Sequence, residues 1–316
     1  MRLLFFARRL ALLFASLLIA SFAIFAAMYL APGNPLAALS GGRSLPPTSL
    51  HTLEVRYHLD KPFLEQYWYW LSNVLHGNLG LSITLRENVS TLIGSRVWTT
   101  AGLVLYASVI IVLLGIGLGI VAGLRPGIID TTTLVITAVS AAIPSFVAAI
   151  VLILVFAVQL GWFPALGNGT NLLGDIRHLT LPAVALAISS LAIVARVTRA
   201  SVRAEGAREH VQTAVSRGIP PGAVLRRHVL RNAAIPITTI TGITIASLIA
   251  VSAVVETAFS LNGLGSYLVQ ASESKDIAVV QGISLVLVAA FVVVNLLIDI
   301  AYALLDPRVT LGTNAQ

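Results

Sequence analysis

The sequence predicts an all-α, polytopic membrane protein with six transmembrane helices. Three observations carry that prediction: composition, the lengths of the apolar runs, and the placement of the arginines. Hydrophobic residues make up 57% of the 316 residues and charged residues 10%, with a mean hydropathy of +0.91. A soluble domain carries roughly a quarter charged residues. A chain this apolar cannot present its surface to water, so lipid must be its solvent. Six stretches reach the roughly 20 residues that a hydrocarbon core about 30 Å thick demands: about 10–31, 98–124, 132–160, 179–201, 235–259 and 279–304. With the N-terminus in the cytoplasm, thirteen of the 20 Lys and Arg residues fall on inner segments and seven on outer ones. That bias predicts both termini in the cytoplasm. It also accounts for the +7 net charge without nucleic acid as a partner.

The first span follows Arg2, Arg8 and Arg9, as a signal peptide would. Its apolar run is too long for a cleavable signal, and Ala31-Pro32-Gly33-Asn34-Pro35 is a helix stop, so the span is expected to be retained. Residues 1–97 thus comprise one helix and a long external loop. In that loop, Tyr67-Trp68-Tyr69-Trp70 suits an interfacial helix in the headgroup layer. Residues 98–306 form a five-helix core with a cytoplasmic loop at about 203–234, and 307–316 a short cytoplasmic tail. In the second span Gly115, Gly119 and Gly123 recur every four residues, with Gly117 between them. Lying inside an apolar span, they predict close helix packing and not a phosphate-binding loop. In the third, Ile143-Pro144-Ser145 predicts a kink, because proline removes a backbone donor.

Covalent chemistry has no visible apparatus. There is no cysteine, no Gly-x-x-x-x-Gly-Lys-Ser/Thr, no His-Glu-x-x-His and no Gly-x-Ser-x-Gly. The histidines, His51, His58, His76, His178, His210 and His228, all fall in expected loops or at span ends, so no metal site is expected. A membrane-embedded enzyme would want such groups clustered within the spans. An ion-gradient-driven transporter would want several mid-span acids or broken helices.

The informative segment runs from Arg203 to Ala234. Val211, Ala214 and Val215 stand at i, i+3 and i+4, the stripe of a short amphipathic helix. Gly218 is a natural helix stop, and Pro220-Pro221 starts the next helix. The product is a helix–Gly–helix elbow between two spans, open to two readings: a basic loop that sets topology, or a lever for a partner.

This loop resembles the EAA motif of ABC importer permeases. The motif's Glu-Ala-Ala-x-x-x-Gly stands here as Gln212-Thr213-Ala214-Val215-Ser216-Arg217-Gly218. The departures are similar to the dipeptide/oligopeptide branch of the family, whose His-x-Leu-Arg-Asn-Ala-x-x-Pro is present from His228 to Pro236. Tyr57-His-Leu-Asp-Lys-Pro62, Gln66-Tyr67 and Gly77-Asn-Leu-Gly80 resemble that branch's first external loop. Val255-Glu256-Thr257, Gly263-Leu264-Gly265, Val280-Gln281-Gly282 and Ala303-Leu304-Leu305-Asp306-Pro307-Arg308 resemble its C-terminal third. The resemblance implies a type I ABC importer permease in a bacterial inner membrane. It would pair with a second, similar permease, two ATPase subunits and an external binding protein. ATP and Mg would be held by the ATPase subunits, with no cofactor on this chain. It further implies that Glu209, His210, Gln212, Thr213, Ala214, Ser216, Arg217 and Gly218 couple the spans to an ATPase. Di- and oligopeptides are the implied cargo, with nickel chelates and other small solutes carried by related permeases.

Within the spans, Ser145, Thr244 and Ser252 offer the non-specific polar lining that a peptide pathway needs. Glu256, near the outer end of the fifth span, reads equally as gate lining or as a structural hydrogen-bonding group. Asn295, Asp299 and Tyr302 share one face of the last span at i, i+4 and i+7. An acid there needs a partner, and Asp299 is expected to pair structurally with Arg196 or Arg199.

Overall fold

A computed structural model describes residues 2–30, 46 and 60–305. Most of those residues are helical, with no β-strand among them and one isolated bridge between Leu81 and Asn88. In chain order the helices are α1 (Arg2–Leu30), α2 (Phe63–Leu75), α3 (Val89–Gly94), α4 (Val97–Ile110), α5 (Gly117–Leu124), α6 (Ile128–Ala142), α7 (Ser145–Leu152), α8 (Leu172–Gly206), α9 (Glu209–Ser216), α10 (Pro221–Val224), α11 (Leu230–Ala258), α12 (Leu264–Glu273) and α13 (Ile277–Leu305). Three π-helical turns, Ile111–Ile116, Ile153–Gln159 and Leu225–Val229, link α4 to α5, extend α7 and link α10 to α11.

Five helical runs are long and apolar enough to cross a bilayer: Arg8–Ala27, Val89–Leu124, Leu172–Gly206, Pro221–Ala258 and Ile277–Ile300. The expected third span is instead two helices, Ile128–Ala142 and Ser145–Gln159, bent by 99° at Pro144. The bend exceeds a kink because both sides of the peptide are committed. Proline pushes the preceding residue out of the α region, and Ile143 is extended at φ −85°, ψ 115°. Pro144 then serves as the N-cap of α7, accepting from the Ala148 amide at 3.0 Å. The pair supplies the sixth span as a broken crossing, or enters and leaves one face as a re-entrant loop. The 35 residues of α8 extend roughly 52 Å, so this helix overruns the bilayer well past the expected 179–201.

α8 is the axis of the bundle, and α4, α5, α6, α7 and α11 all pack against it. Its contact with α5 depends on the glycine repeat. A Cβ at Gly119 would stand 2.5 Å from the Thr198 Cβ and 2.6 Å from the Ala195 carbonyl oxygen; one at Gly123 would stand 3.0 Å from the Arg199 oxygen. Gly115 is similarly close to Val194, whereas Gly117, on the other side of the helix, meets nothing within 4 Å. Lipid tails are as apolar as leucine, so close backbone approach is what holds such helices together. Around this seam Leu103, Ile111, Leu186, Val194, Leu248 and Phe259 form the main buried cluster.

The loop expected before the second span holds structure of its own over 60–97. The buried face of α2, Tyr67 and Leu71, packs with Phe63 and Trp70 on Phe25 of α1, and the Tyr67 hydroxyl lies 2.9 Å from the Ser21 hydroxyl. Trp68 and Tyr69 point outward. The Tyr57–Asp60 part of the family-like motif and the Asp306-Pro307-Arg308 motif fall, Asp60 apart, outside the described residues, as do Arg43 and Arg56.

Candidate functional site

At one end of the bundle the chain leaves α8, turns through α9 and α10, and re-enters as α11. The elbow's closure is local and complete. Gly218 adopts φ +72°, a left-handed conformation natural to glycine. Its amide donates to the Val215 oxygen at 2.9 Å, and the Ile219 amide donates to the Ala214 oxygen at 3.2 Å. Those two bonds make a Schellman motif, which satisfies the end carbonyls of α9. Pro221 then opens α10 at its first turn, where its missing N–H costs nothing.

Val211 and Ala214 are buried, but Val215 is 57% exposed, contrary to the three-residue stripe expected. An eight-residue helix presents little more than one narrow face, and Ile219, folded back over Ala214, takes the place that Val215 would fill. Val211 and Ala214 join Val202, Val224, Val229, Ala233 and Ile237, with Ile116 and Ile120 packed against them. The elbow therefore rests on an apolar cushion that continues into α5, α8 and α11. Glu209, His210, Gln212, Thr213, Ser216, Arg217 and Gly218 remain on the open side. Thr213 and Ser216 donate to the Glu209 and Gln212 carbonyls at 2.9 and 3.0 Å. The His210 Nε2 lies 3.2 Å from the Asn232 amide nitrogen, which ties α9 to α11.

Beside the elbow lies an ion cluster that the sequence reading missed. Asp130, in the first turn of α6, is gripped by Arg199 through Nε and by its NH2 nitrogen at 2.7 Å, and by Arg203 at 2.8 Å. Asp130 is buried, while the Arg203 side chain is half exposed. A signal was present: Asp130, Thr133, Thr137 and Ser140 stand at i, i+3, i+7 and i+10, one polar stripe along the helix.

Because Arg199 is committed to Asp130, it is not the partner of Asp299. Nor is Arg196: the Asp299 carboxylate meets Arg9 of α1 at 2.6 Å, joining the first and last spans. The expected pairing looked only within the core and overlooked α1, which packs along α13. Asn295 donates to the Phe291 carbonyl of its own helix at 2.9 Å.

At the opposite end, Glu256 is fully buried and bonded. It accepts from the Thr100 hydroxyl at 2.8 Å and from the Ser266 amide at 3.0 Å, while Thr100 accepts from the Leu264 amide at 2.8 Å. Three segments meet in this knot, α4, α11 and the start of α12, and Gly263 is its tightest point: a Cβ there would stand 2.3 Å from a Glu256 carboxylate oxygen. A second buried acid, Asp276, also escaped the sequence reading. It accepts from the Ser82 hydroxyl at 2.6 Å and the Thr84 amide at 3.1 Å, pinning the segment before α3 to the start of α13. Burial pushes the neighbouring Tyr267 phenol above its ordinary pKa, with Arg96 4.1 Å over its ring. Thr244 and Ser252 are packed inside, Ser252 donating to the Ile249 carbonyl at 3.0 Å, whereas Ser145 is half-buried at the α6–α7 break. No group of three or more His, Cys, Asp or Glu is placed to hold a metal among the described residues.

Comparison with known proteins agrees with this architecture. The profile of the family described as binding-protein-dependent transport system inner membrane component matches residues 115–311, and that of its N-terminal part matches residues 2–104. The chain is 38% identical to a Brucella abortus protein whose name marks it as a candidate peptide transport system permease, over 93% of this chain and 94% of that one. It is 33% identical to the glutathione transport system permease protein GsiC of Pectobacterium atrosepticum, covering 96% and 98%. Identity is also 33% to the di/tripeptide transport system permease protein DppB of Pseudomonas aeruginosa, with the same coverage. Among solved structures, an inward-facing form of the methionine ABC transporter MetNI superposes with a TM-score of 0.57 at 19% identity, covering 68% of this chain and 96% of that one.

Proposed function

Since the chain belongs to the binding-protein-dependent transport system inner membrane component family of bacterial ABC importer permeases, we propose that it forms half of the translocation pathway of an ATP-driven importer of di- and oligopeptides. The observation that carries this reading is the elbow: a short polar helix, closed by a Schellman turn, seated on apolar side chains that belong to three membrane helices. A push on its open face reaches the spans through packed side chains. Peptide cargo is supported by the relatives named for peptide, glutathione and di/tripeptide transport.

In this mechanism the chain performs no covalent chemistry. Two partner ATPase subunits bind ATP and Mg and close on each other. One of them receives Glu209, His210, Gln212, Thr213, Ser216 and Arg217, while Ala214 anchors α9 from beneath and Gly218 lets the chain turn back. A second, similar permease completes the pathway, and an external binding protein delivers the peptide. Movement of the elbow shifts α8 and α11 together, and the shared cavity opens to one side and then the other. Both termini and the elbow lie in the cytoplasm, as the arginine bias requires. Ser145, at the α6–α7 break, is the pathway candidate nearest to open space. Thr244, Ser252 and Glu256 support the wall from within, and Asn295 and Asp299 are structural groups of the last span.

The test is peptide-dependent growth of an amino-acid auxotroph with and without this subunit, beside uptake of radiolabelled nickel. Loss of peptide-dependent growth with nickel uptake intact is expected. Lost nickel uptake with intact peptide-dependent growth sinks the peptide assignment.

A further inference from the structure

Between Asp130 and Ser140, α6 is inside out. The only residues withdrawn from the surface are Asp130, Thr133, Thr137 and Ser140, all polar, while Leu134, Val135, Ile136 and Val139 are exposed. The polar face lies against α8, where three arginines follow one another along the helix. Arg203 and Arg199 hold Asp130. Arg196 does not: its Nε reaches the Thr137 hydroxyl at 3.4 Å, its side chain is exposed, and no acid pairs with it among the described residues.

The depth of Arg196 gives this exposure meaning. Gly123 lies against Arg199 and Val202, and Gly119 against Ala195 and Thr198. The turn after α5, at Arg125–Gly127, is therefore level with Val202 and Arg203. Arg196 stands six to seven residues further into the bundle, roughly 10 Å deeper. Its partner Thr137 is two turns deeper than Asp130, so the guanidinium does not snorkel back toward the elbow end. A guanidinium facing lipid at that depth is costly, and such groups face water or a counter-charge instead.

Resting on the importer reading above, we propose that Arg196 faces the water-filled translocation cavity and receives the carboxylate of the passing peptide. A guanidinium fork matches a carboxylate through two parallel hydrogen bonds, and every unblocked peptide carries that carboxylate at its C-terminus. A single exposed charge also suits transport, where binding must be strong enough to enter and weak enough to leave. The hydroxyls of Thr133, Thr137 and Ser140 continue a polar strip from Asp130 toward the break at Ser145.

The experiment uses the complete complex with its binding protein in proteoliposomes. Uptake of a tripeptide and of its C-terminally amidated form is compared in wild type, Arg196→Gln and Arg196→Lys. The wild type is expected to prefer the free acid. Arg196→Gln is expected to lower that preference about tenfold, the size of one good charge-assisted contact, and Arg196→Lys to keep much of it. An unchanged preference in Arg196→Gln overturns the proposal. Because this chain has no cysteine, Arg196→Cys adds a single thiol to it, expected to react with a membrane-impermeant reagent in the assembled complex. A thiol that stays unreactive, or a complex that no longer assembles, places Arg196 against the second permease and overturns it too. If the wild type takes up no peptide in either form, the importer reading itself fails and this proposal with it; normal uptake with indifferent variants defeats this proposal alone.

Discussion

Asp130 shows how one acid can set the geometry of an apolar helix. It sits at the N-terminus of α6, where the helix dipole favours a negative charge, and two arginines of α8 close on it. Removing one partner of such a cluster leaves charges without compensation. Asp130→Ala is therefore expected to destabilise the chain, with the loss softened because Arg203 is half exposed. The check is the temperature at which the detergent-solubilised complex aggregates, with an unshifted transition as the contrary result. At the other end of the bundle, Glu256 and Gly263 form a knot with no room for a methyl group. Gly263→Ala should cost about 1–3 kcal/mol by overpacking, and limited proteolysis near α12 should accelerate. Glu256 was legible in the sequence as a residue of consequence, because a lone acid in an apolar span must be bonded or functional. Its bonds were not legible, since Thr100 and Ser266 approach it from other parts of the chain.

Among the elements, the α5–α8 seam and the elbow make opposite demands on glycine. Gly119 must have no side chain because Thr198 and Ala195 already occupy the space, whereas Gly117 meets nothing within 4 Å. Gly119→Leu should abolish assembly and Gly117→Leu should be tolerated, as measured by recovery of the complex from membranes. Gly218 must be glycine for its backbone, not for space: a Cβ there would meet nothing within 4 Å, but its φ is +72°. An L-residue there pays roughly 1–2 kcal/mol, and proline cannot adopt that φ at all. Gly218→Ala should weaken coupling, and Gly218→Pro should abolish uptake while ATP hydrolysis by the complex continues. Charge reversal of Arg217 is expected to act in the same direction. Undiminished uptake by both Gly218→Pro and reversed Arg217 would remove the coupling role. The helix–Gly–helix pattern of the elbow was readable because Gly218 and Pro221 act on their own chain neighbours. The exposure of Val215 was not, because it depends on where Ile219 lands.

For the whole molecule, orientation is the first thing to measure. The cysteine-free background allows single thiols at Ser216 and Glu87, both exposed at opposite ends of the bundle. In intact spheroplasts, an impermeant reagent should label Glu87→Cys and spare Ser216→Cys; the reverse pattern would invert the topology. The purified chain without its partners should hydrolyse no ATP. The sequence by itself determined the class of the protein. Its apolar fraction, the length of its hydrophobic runs and the arginine-rich elbow are properties of local composition, and lipid imposes helices on any chain that must satisfy its backbone without water. Tertiary structure alone decided which charges meet. Asp299 took Arg9 from the far end of the chain, and Asp130 took Arg199 and Arg203. Such choices depend on which helices lie side by side, and hydropathy, which treats each span alone, carries no record of its neighbours.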